Sequence, residues 1–89
     1  MALIAAIMGQ YKEYPRPAQN ARMEGTGELF FVLDHSGDIV SRELRKSSGH
    51  ELLDKEILDL LDRVGQFPRF PEGIDAPRLE IVVPIQFSL

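Results

Sequence analysis

The last eleven residues, LEIVVPIQFSL (79–89), constrain the fold of this chain more than any other stretch. Every odd position from Leu79 to Leu89 is apolar, the period-2 pattern of a half-buried β-strand. Pro84 sits in the middle of it. Proline has no N–H to give to a sheet ladder, so this strand belongs at an edge with the Pro84 nitrogen facing away from its neighbour. Long edge strands with good alternation recruit other strands and are usually blunted. Here the edge is left long, and that calls for a reason.

The rest of the chain supplies the sheet and its cover. Leu3, Ile4, Ile7, Met8 and Tyr11 share one helical stripe, which predicts a helix over 2–12, stopped by the prolines of YPRP. Pro17 is placed to open a second short helix over 17–24, with Gly25 closing it in the left-handed conformation. GELFFVLD (27–34) reads as a strand with apolar side chains on both faces, hence central and covered on both sides. DHSGD is a hairpin turn with Gly37 at positive φ. In the return strand, 39–46, Ile39 and Leu44 lie an odd number of positions apart, so both reach the core only if a residue bulges out between them. Ser48 and Glu51 predict a capping box for a third helix, whose apolar stripe is Leu53, Ile57, Leu60, Leu61 and Val64, ending at Gly65. Phe67 and Phe70 in the proline-rich stretch that follows are expected to pack back on the core.

A hairpin followed by a helical crossover places the first strand in the middle and the last on its open side. The expected fold is α+β: a three-stranded antiparallel-type sheet of order 2-1-3, a crossover helix packed on one face, and N-terminal helices. One domain is expected over 1–89, with 1–13 as the N-terminal helix and 14–89 as the core.

Composition narrows the chemistry. With 89 residues, a net charge of −4 and a pI near 5.0, the chain lacks the basic face of a nucleic-acid binder. Phe30 and Phe31 on a sheet could stack bases, but RNA-binding sheets are basic and bare on one face. Cysteine is absent, which excludes disulfides and thiolate metal sites. No apolar run approaches the roughly 20 residues of a membrane span. Ser47, Ser48 and His50 are close in sequence, yet no acid is placed to orient His50 and Ser48 reads as a cap. Asp34, His35 and Asp38 are the residues a tight turn requires rather than a metal set. Asp54, Glu56, Asp59 and Asp62 read as the solvent face of the third helix. No catalytic residue, metal or cofactor is expected.

What remains is the edge. Alternation sends the backbone N–H and C=O of one parity to one side of a strand. With the Pro84 nitrogen outward, Val82, Pro84 and Gln86 offer backbone to the outside, while odd residues pair inward.

The pieces YPRPAQNARMEG, DHSGDIV, SSGHELLDKEIL, FPRFPEG and VVPIQFSL stand in the order and at the spacing of the TonB C-terminal domain family, from residue 14 to 89. The chain resembles that family over nearly its whole length. The resemblance implies a TonB-like fold and a full protein with an inner-membrane anchor and a Pro-rich periplasmic spacer, so that Met1 would not be its natural start. It implies a non-enzymatic role in the periplasm of a Gram-negative bacterium. The family adds the TonB box of an outer-membrane transporter as a strand to the last strand, drawing energy from an inner-membrane proton-channel complex for uptake of siderophores or similar cargo. By the same resemblance the partner-binding residues are Val82, Val83, Pro84, Gln86 and Ser88 on the last strand, with Tyr14, Pro15, Arg16 and Gln19 beside it. This chain has Pro17 where well-studied members carry a basic residue, with Arg16 one position earlier, and Arg42 where the family is usually apolar. A monomer is expected, with edge-to-edge or swapped dimers accessible to it. A TolA-type module linking the two membranes is the alternative, sharing the edge but not the YP and SSG…LD set.

Overall fold

The computed structural model describes residues 2–68 and 78–89. Its elements run α1 (Ala2–Tyr11), α2 (Arg16–Asn20), β1 (Gly25–Asp34), β2 (Ile39–Lys46), α3 (Glu51–Val64) and β3 (Arg78–Phe87). The strands form one antiparallel sheet of order β2-β1-β3. The expected topology is therefore present, and β3 is an edge.

The β1–β3 ladder is regular from Gly25 opposite Phe87 to Asp34 opposite Arg78. The β1–β2 ladder is broken twice, because Val40 and Arg45 have no partner in the register. The Val40 bulge lets Ile39 and Leu44 both pack on the core, as their odd spacing required.

One face of the sheet carries Leu29, Phe31 and Leu33 of β1 with Ile81, Val83, Ile85 and Phe87 of β3. These join Leu53, Ile57, Leu60 and Leu61 of α3, Met8 of α1 and Ala18 of α2 in a single cluster. Phe67 lies in it too, its ring stacked on Phe31 at 5.4 Å between centroids. Phe70 lies outside the described residues. All three helices thus serve one face of β1, while Val32 on the other face is also buried, at 9% exposure. On the other face Phe30 is half-buried beneath the Arg45 guanidinium, 4.0 Å from its ring centroid. That face carries charges of both signs, Glu28, Glu43 and Glu80 with Arg45 and Lys46, rather than the basic surface a phosphate backbone needs.

Two local expectations are corrected. The second helix is shorter, Arg16–Asn20, and the left-handed residue after it is Arg22 (φ 55°), not Gly25. Gly25 opens β1 instead, where a Cβ would stand 2.2 Å from the Ser48 carbonyl oxygen, so the glycine is needed for close approach. The capping box does not form. Gly49 at φ 96° turns the chain after Ser48, and the residue preceding α3 is His50, which makes no side-chain cap. Asp54 of the first turn reaches back instead. Its carboxylate accepts from the Ser48 N–H (2.8 Å), the Ser48 hydroxyl (2.6 Å) and the Ser47 hydroxyl (2.5 Å).

Candidate functional site

The direction of each β3 backbone group follows from the hairpin. Asp34 N–H donates to the Asp38 carbonyl at 3.0 Å, so even residues of β1 face β2 and odd residues face β3. The register pairs odd with odd, Leu29 with Val83 and Gly27 with Ile85. Odd residues of β3 are thereby spent on the inward ladder. Even residues turn their N–H and C=O to the open side, and the Gln86 carbonyl does so visibly, accepting from Lys12 Nζ at 2.6 Å. Pro84 lies opposite Glu28 in this outward set, where its missing N–H costs the sheet nothing.

Side chains follow the same parity. Ile81, Val83, Ile85 and Phe87 are buried, while Glu80, Val82, Pro84 and Gln86 are exposed. Leu89 departs from the pattern: it lies beyond the strand end and is 65% exposed, its N–H donating to Glu24 Oε1. Of the sequence-derived docking residues on the last strand, Val82, Pro84 and Gln86 are outward in both backbone and side chain. Val83 pairs inward and points to the helices, and Ser88 stands exposed just past the end of β3.

The segment before β1 is brought to the same end of the sheet. The Tyr14 ring packs edge-on against Phe87, 5.3 Å between centroids, and its hydroxyl donates to the Met23 carbonyl. Desolvation, then the Glu24 carboxylate, push the Tyr14 phenol above its ordinary pKa, which keeps the proton this bond needs. Gln19 Nε2 donates to the Tyr14 carbonyl at 3.3 Å. Pro15 is half-buried, and Arg16 is exposed at the first position of α2.

Sequence reasoning missed what holds α1 beside this edge. Glu56, read as a solvent-face residue, is buried at 5% exposure. It takes a bidentate pair of bonds from the Arg63 guanidinium and the Glu13 N–H at 2.9 Å. Arg63 also donates to the Tyr11 carbonyl at 3.2 Å, so the chain leaving α1 is pinned to α3. The signal available was the spacing of Glu56 and Arg63 two turns apart on one helix face. Elsewhere, Asp34 Oδ1 accepts from the Ser36 and Asp38 N–H groups, the role a turn requires of it.

No helix among the described residues is long and apolar enough to cross a membrane. Comparison with known proteins gives a consistent result. The chain is 34% identical to protein TonB of Pseudomonas putida over 83 residues, 92% of this chain and 34% of that protein. It is 33% identical to protein TonB of Vibrio cholerae over 76 residues, 85% of this chain and 31% of that protein. It therefore spans about a third of the length of the curated relatives it matches. A solution structure of the Helicobacter pylori TonB C-terminal domain shares its fold, with a TM-score of 0.81 over 97% of this chain and 77% of that one at 22% identity. The HasB C-terminal domain gives 0.61 over 99% and 68% at 31% identity. The family model for the Gram-negative bacterial TonB protein C-terminal matches residues 10–89, and with it the chain belongs to the TonB C-terminal family.

Proposed function

We propose that this chain is the periplasmic docking domain of a TonB-like energy transducer, and that it grips the TonB box of an outer-membrane transporter by adding it as a strand to β3. The role is one of binding, not catalysis. The observation that carries the reading is the long outward backbone of β3, which pairs with no strand among the described residues and is modified at Pro84, which has no donor, and at the Gln86 carbonyl, which Lys12 holds, with the Tyr14 segment beside it. Residues 1–89 act as one domain in this reading, with Val82, Pro84, Gln86 and Ser88 at the docked strand and Tyr14, Pro15, Arg16 and Gln19 beside it. Val83 supports the edge from the helix side. The rest of the transducer would anchor in the inner membrane and couple to a proton-driven complex for uptake of siderophores or similar cargo.

The magnitudes suit a grip that must also let go. Four or five added backbone hydrogen bonds at about 0.5–1.5 kcal/mol each give a few kcal/mol before the cost of association. Bonds arrayed along a strand share a load applied along its axis, so modest affinity is compatible with force transmission.

The chain has no cysteine, so Gln86→Cys introduces a unique thiol. A TonB-box peptide carrying one cysteine should form a disulfide with Gln86→Cys, and with Val82→Cys when its own cysteine is moved along, but not with a cysteine at Ser41 on β2. Equal cross-linking at Ser41 would contradict docking at β3.

A further inference from the structure

We propose that the groove between α1 and β3 receives an acidic side chain of the docked strand, and that Lys12 holds its carboxylate and so sets the strand's register; this rests on the strand-addition reading above. The groove encloses about 220 Å³, with Met8, Gly9 and Lys12 of α1 facing residues 83–86 of β3. It lies on the helix side of the edge, where alternate side chains of an added strand must point.

An edge needs such a device. Its backbone groups repeat every two residues, so hydrogen bonding alone allows an added strand to slip by two. Charge breaks the repeat. Along the groove Val83, Pro84, Ile85 and Gln86 are uncharged, and the Lys12 ammonium sits at the Gln86 end. That ammonium is held by the Gln86 carbonyl at 2.6 Å and lies 5.4 Å from the Phe87 ring centroid. An ammonium has three donors, and the Gln86 bond uses one of them. It is the sole charged group among the groove's lining residues. A glutamate entering there lays its methylenes on Met8 and Val83 and its carboxylate on Lys12. The same residue slipped by two along the strand leaves the ammonium behind and finds no other charged group lining the groove.

Selection of a random heptapeptide phage library on the 89-residue chain tests this. Binders should share Asp or Glu at one fixed position, and selection on Lys12→Glu should replace it with Lys or Arg. In a synthetic copy of a selected peptide, changing that acid to Gln should weaken binding to the wild type about two- to fivefold at low salt, and not at all to Lys12→Met. Gly9→Leu should fill the groove and weaken binding about tenfold with no loss of melting temperature, because a Cβ at Gly9 meets nothing within 4 Å and leucine favours helix. Binders that shift the 82–88 amides without a fixed acid, or whose acid survives Lys12→Glu, would overturn the groove while leaving strand addition standing. Binders that shift the 39–46 amides, or a selection that yields none, would overturn both.

Discussion

Pro84 shows how one residue can be informative when its chemistry forbids most positions. Its missing N–H and the alternation around it made both the edge and the outward parity legible before any coordinates, and the Lys12–Gln86 bond agrees with that parity. A second proline tests it. Gln86→Pro removes an outward donor and should weaken peptide binding by about 1 kcal/mol or somewhat more while the melting temperature holds. Ile85→Pro removes an inward donor opposite Gly27 and a buried side chain, and should destabilise the fold by about 3 kcal/mol or more. The reverse ranking in thermal melts and peptide titrations would move docking to the odd residues. Asp54 and Glu56 were illegible for the opposite reason. Helical phase places them at the margins of the apolar stripe, where carboxylates are usually solvated; the two-turn spacing of Glu56 and Arg63 allows their pairing, but nothing local tells that the preceding loop will meet Asp54 or that Glu13 will meet Glu56. Burial pushes the Asp54 carboxyl up, but hydrogen bonds from Ser47 and Ser48, aided by His50, outweigh it and hold the carboxyl below its ordinary value. A depressed folded pKa gives stability that is fully present above the unfolded value, about 3.9, and is lost as pH falls below it. Asp54→Asn should therefore lower the urea midpoint at pH 7, by about 1–2 kcal/mol in stability, with the gap to wild type closing toward pH 3.

At the scale of elements, β3 and α3 were legible from their periods, β1 from a continuous apolar run, and the irregular β2 only through the DHSGD turn that precedes it and the bulge its spacing required. α1 was legible as a helix but not as a wall beside the β3 edge, since an apolar stripe does not name the strand it will flank. Its placement depends on the Glu56–Arg63 pair, which ties Tyr11 and Glu13 to α3. Glu56→Ala leaves Arg63 and the Glu13 N–H without their partner. It should cost about 2–3 kcal/mol in chemical denaturation, less than for a fully enclosed pair because the Arg63 side chain is 31% exposed. An edge of this kind can also pair with a second copy of itself. Removing residues 1–13 strips Met8, Lys12 and the rest of the groove wall from β3. That truncation should raise the dimer fraction in sedimentation runs at a concentration where the 89-residue chain is monomeric. A dimer of the intact chain that persists on dilution would mean the edge is already occupied.

For the whole molecule, the topology is the argument. β1 sits between β2 and β3, all three helices are committed to one face, and among the described residues no strand pairs with the outer side of the ten-residue β3. The proposed reading asks of this shape only that a partner arrive as an extended strand and pair with the outer side of β3. The most direct test is amide mapping by NMR of the ¹⁵N-labelled chain titrated with a synthetic TonB-box peptide. Docking at β3 predicts that the largest shifts fall at 82–88, with smaller ones at Lys12, Tyr14 and Gln19 and little change in β2. Shifts centred on 39–46 would place the partner on the opposite edge and contradict the account.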